Sequence, residues 1–503
     1  MRILASLLLL ALAPACGAQV GQLALAYVQA ASGPGTPIMF QHLAFSTNPA
    51  GIGVAGHAYI FKTDPLPANT VAVMAVTAVH GKTITVSDTL AGSWASAVCT
   101  ADAGTGNYKT EVFVEPLGAT GGADTITVGV GSSNTNPVTY DVTFFENINT
   151  SSPANGHLCT ANITPASGGL ISPGSFTPTN NNANGGNVIW NYNGIAFAAS
   201  ANATSWTPAS GFTLLNGDVL WTSNQGFPTA SQYYLQTTSA SVTPSITAAG
   251  EGPTGDDYNS VSVALKVANN SASVPSTLHI ASITHESFND FHSPGTMTVQ
   301  WPTVGNLRVI GFPWTGGCPD LGAGCLTATA VSFSDGCTST LVGGSAGSGG
   351  ASIAYAQNCS PCPTCTVSIV FAGSETIGQG SFRMYDIVNA ASSSYQNSTS
   401  GVNASCTTTT INNSPSFTPT GASNGLTIAQ FGIELGVMTA LASGAPAGAI
   451  DDLTKYTGET SADMMENADG SSHLFYSSAA TQNWDYTIST SPSECYWAAA
   501  AFN

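Results

Sequence analysis

Apolar residues in this chain come in short runs that alternate with polar positions or continue without a break. No long run keeps a three-to-four-residue period. "TVAVMAVTA" (Thr70–Ala78), "TEVFVEP" (Thr110–Pro116), "DTITVGVG" (Asp124–Gly131) and "YDVTFFE" (Tyr140–Glu146) are rich in Val, Thr, Ile and Phe. Successive side chains of a strand point to opposite faces, so such runs read as strands with one or both faces buried. Clusters of Gly, Asn, Ser and Pro separate them and supply the turns. "ADMME" (Ala462–Glu466) could make one helical turn. The pattern predicts an all-β chain of antiparallel sheets.

The strands recur. "SFTPT" occurs at Ser175–Thr179 and again at Ser416–Thr420. Shorter likenesses flank it in the same order. "TVSD" (Thr85–Asp88) matches "SFSD" (Ser332–Asp335), and "DTITVGV" (Asp124–Val130) matches "CTVSIVF" (Cys365–Phe371). "TFFENI" (Thr143–Ile148) matches "RMYDIV" (Arg383–Val388), which sets Phe145 against Tyr385 and Glu146 against Asp386. The offset stays at about 240 residues, as a colinear duplication requires. The polar stretch "VANNSASVPS" (Val267–Ser276) then reads as the linker. The expected organisation is a β-sandwich over residues 19–268, a linker over 269–275 and a second, disulfide-rich β-sandwich over 276–503. Each unit is too long for one immunoglobulin-like domain and suits a jelly-roll-like sandwich with long loops. In each "SFTPT" the proline holds the preceding Thr extended and removes a backbone donor, which suits a strand edge. Phe176 and Phe417 are therefore expected to be buried anchors. This order of elements resembles the large lectin-like β-sandwich domains of secreted bacterial proteins, many without an assigned activity. The resemblance implies a fold and carries no site residues with it.

Composition narrows the function. Charged residues make up 7% of the chain, against roughly 25% in ordinary soluble domains, so the surface has to be built from uncharged polar side chains. Only 8 residues are Lys or Arg and the formal net charge is −19, which argues against nucleic acid and anionic membranes as partners. The opening "MRILASLLLLALAPACGAQV" has one basic residue, an apolar core and then small residues, which is an export signal over residues 1–18. Cleavage after Ala18 frees a secreted protein. Cleavage before Cys16 leaves a lipid-anchored one, although Ala13 stands where the lipoprotein signal favours Leu. No later stretch reads as a membrane span, since Leu426–Ile450 is interrupted by Glu434, Gly and Pro. In an oxidising compartment the remaining cysteines are expected to pair. These are Cys99, Cys159, Cys318, Cys325, Cys337, Cys359, Cys362, Cys365, Cys406 and Cys495. Cys99–Cys159 is the one pairing available within the first unit. "CSPCPTC" (Cys359–Cys365) imitates zinc-ligand spacing, but exported thiols oxidise before they meet metal.

Candidate chemistry is sparse. "THESFNDFHSPG" (Thr284–Gly295) offers His285, Asp290 and His292 as metal ligands with Glu286 as a base. The spacing is not that of a helical His-Glu-x-x-His site, and the favoured reading is a solvated loop. Asp451 and Asp452, with Glu251, Asp256 and Asp257, could flank a groove for glycoside hydrolysis or, with loop carbonyls, hold Ca²⁺. They could also simply cap their own turns. "GGSAG" (Gly343–Gly347) has the letters of a nucleophile elbow without the helix that must follow it. No phosphate loop or dinucleotide fingerprint occurs. Trp94 and Trp206 stand in polar, turn-rich contexts and are the expected sugar-stacking residues. The sequence thus points to a secreted or cell-surface protein that binds polysaccharide or surface glycan, or has a structural or adhesive role. The alternative is a secreted glycoside hydrolase or polysaccharide lyase using the loop carboxylates.

Overall fold

In the computed structural model, described residues are 36–46, 58–131, 138–179, 186–197, 203–217, 228–253, 255–268, 275–292, 295–315, 327–343, 349–372, 376–403, 410–411, 416–421, 423–433, 438–441, 445–452, 455–456, 469–488 and 495–503. Among them the chain is all β, without a helix. The export signal with Cys16, the residues around "ADMME" and nearly all of the predicted linker lie outside these ranges.

A ten-stranded sheet forms the centre. At its middle Ile38–Ser46 runs parallel to His279–His292, with His42 opposite Ser282 and Phe45 opposite His285. Outward from this seam on one side lie Thr139–Glu146, Val71–Val79, Tyr108–Pro116 and Cys99–Asp102. On the other side lie Thr376–Val388, Leu307–Thr315, Gly349–Gln357 and Ser339–Gly343. All pairings but the seam are antiparallel. The two sides have the same strand order, at an offset of about 240 residues. Both seam strands are bulged at matching places, between Met39 and Gln41 and between Ile280 and Ser282. Glu146 pairs with Ile38 and Val388 with His279, so Asp386 lies two residues away from the place that the letter match assigned it. Register follows the backbone ladder and the bulge, which short letter matches do not see.

Both faces of the central sheet are covered. One carries an eight-stranded sheet in the order Thr327–Phe333, Thr366–Ala372, Gly295–Gln300, Thr213–Gly217, Ala230–Gln236, Asn187–Phe197, Asp257–Lys266 and Ala154–Ile163. Strands from before and after residues 269–275 meet in it where Gly217 pairs with Gln300. The other face carries a four-stranded sheet containing Ala58–Lys62 and Thr125–Val130. Beside it lies a five-stranded one containing Gly425–Ile433, Asp469–Tyr476 and Cys495–Phe502. Burial of both faces is why Val71–Val79 reads as a continuous apolar run. Ala72, Met74 and Val76 enter one core, and Val71, Val73 and Ala75 the other.

The repeated pentapeptide has the structural part expected of it. Phe176 and Phe417 are both buried. Phe176 exchanges backbone hydrogen bonds with Val242 (3.0 and 2.9 Å), and Phe417 does so with Gln482 (2.9 and 2.7 Å). Cys99–Cys159 is a disulfide, joining an edge of the central sheet to an edge of the eight-stranded sheet. Cys337–Cys359 and Cys362–Cys365 are disulfides too, so "CSPCPTC" offers no thiolates to zinc. Cys495 is also disulfide-bonded, and Cys318, Cys325 and Cys406 lie outside the described residues. Among the described residues no helix is long and apolar enough to cross a membrane.

Candidate functional site

Most of the described Asp, Glu, Lys and Arg residues are buried or half-buried. Among the described Asp, Glu, Lys and Arg residues only Asp102 and Asp335 are exposed. Both described arginines, Arg308 and Arg383, are buried.

The densest cluster lies beside the parallel seam. Asp64 follows the strand Ala58–Lys62, Asp452 follows Ile450–Asp451, and His473 belongs to Asp469–Tyr476. The imidazole bridges the two carboxylates, with Nε2 2.6 Å from Asp64 Oδ1 and Nδ1 2.9 Å from both oxygens of Asp452. Two carboxylate partners require both ring nitrogens to donate, which makes the ring an imidazolium. Burial disfavours that charge, but Asp452 and Asp64 outweigh it and raise the His473 pKa to about 10. Gln41, from the seam, donates to Asp64 Oδ2 at 2.8 Å, and Tyr385, from the central sheet, donates to Asp452 Oδ2 at 2.9 Å. Three sheets thus meet in one hydrogen-bonded group. A buried ion group gains little net stability, because its desolvation offsets its attraction, but a misplaced layer would strand a charge. Tyr385→Phe keeps the ring and removes the hydroxyl. It is expected to lower the unfolding free energy by about 1.5–3 kcal/mol, the range for a hydrogen bond to a charged group, as read by urea denaturation.

On the opposite face of the seam, His42 Nε2 lies 3.0 Å from Asp141 Oδ1, and Ser231 Oγ donates to Asp141 Oδ2 at 2.6 Å. The three residue types are those of a hydrolase triad, but the serine bonds the carboxylate instead of the imidazole. All three are fully buried, so the group has neither an activated nucleophile nor access for a substrate. Asp386 accepts the backbone N–H of Val304 (2.6 Å) and Gly305 (2.8 Å), and burial raises its pKa to about 6. Arg308 holds Asp335 with two bonds (3.0 and 2.7 Å) and donates to the Ser360 carbonyl at 2.7 Å. The last two groups each pin a turn to a sheet, and the first joins the central sheet to the eight-stranded one.

The residues expected to carry function lie elsewhere than expected. Trp94 is buried, because the bridge between Ser87 and Ser93 folds its turn over, and its Nε1 donates to Asp88. Trp206 is 1% exposed, packed edge-on against Tyr258 and bonded through its backbone to the Gln300 side chain (2.6 and 2.8 Å). Neither presents a ring face to a sugar. Polar neighbours in sequence did not mean solvent around the indoles. Asp451 and the side chain of Asp452 are buried, and the cation between Asp452 and Asp64 is His473. Glu251 accepts the Asp256 N–H (3.1 Å) and the Tyr258 hydroxyl (3.2 Å), so it ties down its own turn. The predicted metal loop is a strand, His279–His292, held by partners on both sides. His285 is buried in it against Phe45, and the side chains of Glu286, Asp290 and His292 lie outside the described residues. The structure does bring His285 and Asp452 together, at a cavity of about 30 Å³. A larger, open pocket of about 470 Å³ is lined by Asp335 and the loop Asn358–Thr364. The Asp335 carboxylate there lies within 4.8 Å of the sulfurs of Cys362 and Cys365, which are oxidised to each other.

Asp64, His473 and Tyr385 had no local signal. Asp64 stands in "KTDPLP", which reads as a turn, and His473 is one polar letter in an alternating strand 409 residues away.

No family model matches this chain, and no curated protein matches it. Among solved structures it is similar at 9% identity and a TM-score of 0.14 to an α-L-rhamnosidase from Dictyoglumus thermophilum, covering 74% of this chain and 37% of that one. Dimeric latent PorU from Porphyromonas gingivalis is similar at 11% identity and a TM-score of 0.14, covering 70% of this chain and 35% of that one. The chain thus spans little more than a third of each. A chain of the T13 IBDV viral particle is similar at 8% identity and a TM-score of 0.13, covering 96% of this chain and 85% of that one. Scores this low carry neither fold nor function across.

Proposed function

We propose that this is an exported, non-enzymatic β protein with a structural or adhesive role outside the cell, built by internal duplication of one β-sandwich unit. One observation carries the reading. All described Asp, Glu, Lys and Arg residues but Asp102 and Asp335 are buried or half-buried, several of them in ties between sheets, and the exterior is left largely to uncharged polar residues. General acid–base and nucleophilic chemistry needs such groups in a cleft, within reach of substrate. The disulfides suit an oxidising compartment. The matched strand order on either side of the seam, at an offset of about 240 residues, supports the duplication. With Trp94 and Trp206 buried, any binding to polysaccharide or surface glycan does not stack on these two indoles.

The test is a polysaccharide panel read for both retention and bond cleavage, using disulfide-intact protein. Retention on a polymer or on cell envelopes without release of reducing or unsaturated sugar is the expected result. Turnover that Asp451→Asn abolishes while the protein keeps its melting temperature would overturn the reading in favour of a carbohydrate-active enzyme.

A further inference from the structure

The open pocket of about 470 Å³ is lined by residues of two disulfides. Cys337, Cys359 and Cys362 all border it. Cys362 is half-buried, whereas its partner Cys365 is 1% exposed and does not line the pocket. One residue of this pair is therefore reached from solvent and the other lies behind it.

The fold asks little of the Cys362–Cys365 bond. It spans a sequence separation of 3, against 22 for Cys337–Cys359 and 60 for Cys99–Cys159, so of the three it restricts the unfolded chain least. The turn is held without it. Cys362 exchanges backbone hydrogen bonds with Thr303 (2.9 and 2.8 Å), and the Trp301 N–H donates to the Cys365 carbonyl at 2.7 Å. Opening the S–S bond breaks none of these. Exposed disulfides that carry little of the fold are the ones that exchange with free thiols. The Asp335 carboxylate lies within 4.8 Å of both sulfurs and by itself repels a thiolate. Arg308 binds it with two bonds (3.0 and 2.7 Å) and offsets that charge. A pocket of this volume has room for a small molecule.

We propose that this pocket is a thiol–disulfide exchange site for a low-molecular-weight thiol, with Cys362 as the sulfur attacked and Cys365 as the leaving group. The thiolate of the small molecule bonds to Cys362 Sγ as the Cys362–Cys365 bond breaks. The electron pair of that bond leaves on Cys365 Sγ, which takes a proton from water. The product is a mixed disulfide at Cys362 in the folded protein. Attack of Cys365 on Cys362 reverses the step. Attack of a second thiolate on the small molecule's own sulfur instead releases its disulfide and leaves Cys362 and Cys365 as a dithiol. This redox chemistry is separate from any adhesive role and does not rest on it.

The experiment treats the oxidised full chain with reduced glutathione, blocks free thiols with iodoacetamide at timed intervals and maps the cysteines by mass spectrometry. The expected result is that Cys362 and Cys365 open roughly tenfold or more faster than Cys99 and Cys159, with glutathione found on Cys362 and the near-UV spectrum of the folded protein kept. Two variants test the asymmetry of the pair. Cys365→Ser leaves Cys362 free to take glutathione from glutathione disulfide, and Cys362→Ser should do so at Cys365 roughly tenfold or more slowly. If either variant does not fold, the wild-type map decides alone. Opening of Cys362–Cys365 no faster than Cys99–Cys159, opening only where urea unfolds the chain, or glutathione on Cys365 in place of Cys362 overturns the proposal and leaves a structural disulfide.

Discussion

His473→Leu is expected to lower the unfolding free energy by about 3–5 kcal/mol, the loss seen when one partner of a buried ion pair is removed. The substitution leaves the carboxylates of Asp64 and Asp452 buried without their shared cation. Guanidinium denaturation should show a lower midpoint, and acidification should partly restore stability as the stranded carboxylates take up protons. The wild-type protein should lose stability in alkali, over a higher pH window. The pKa of His473 is raised in the folded state to about 10, against 6.5 for an unperturbed histidine. Its contribution is therefore fully present below the unfolded pKa and is lost as pH rises through the folded one. Between those limits the unfolded chain holds fewer protons than the folded one, so stability falls with rising pH by about 1.4 kcal/mol per unit from this group. Unfolding curves across that window, compared between the wild type and His473→Gln, isolate the term. An equal slope in both proteins would show that His473 is not the imidazolium of the cluster.

The second large effect belongs to Cys99–Cys159. The disulfide closes a loop with a sequence separation of 60 residues, and it ties the outermost strand of the central sheet to the outermost strand of the eight-stranded layer. Its removal in the Cys99→Ser, Cys159→Ser double variant should cost about 4 kcal/mol, from the loop-closure entropy restored to the unfolded chain. The denaturant midpoint should fall while the folded-state near-UV spectrum stays the same, because both strands keep their ladders. A loss below about 1 kcal/mol would mean that the unfolded chain is already constrained around this loop.

Much of the architecture was legible from particular residues. The alternation in "DTITVGV" became a strand with alternating burial, and the unbroken "VAVMAVTA" became one buried on both faces. "SFTPT" marked two buried phenylalanines and an offset close to the one that separates corresponding strands on the two sides of the central sheet. The site was less legible. Trp94 and Trp206 looked exposed because their neighbours are Ser, Thr and Gly, yet a turn folded back over one and a neighbouring sheet covered the other. Asp451 and Asp452 looked like loop carboxylates because nothing nearby in sequence announces His473 or Asp64.

What the sequence determined by itself is what local chemistry controls. Period-two alternation and turn residues made strands, and the poverty of charge left an uncharged polar surface. The positions of Cys99 and Cys159 set a disulfide. Only the tertiary structure decided that Ile38–Ser46 and His279–His292 lie side by side and parallel, so that strands from both ends of the chain share each layer. It likewise decided that Asp64 and His473 share a proton-rich contact across 409 residues. The physical reason is common to both. Strand formation depends on neighbours in the chain, whereas sheet order and buried ion pairing depend on which faces meet, and side-chain pattern along one strand carries no record of the partner that will cover it.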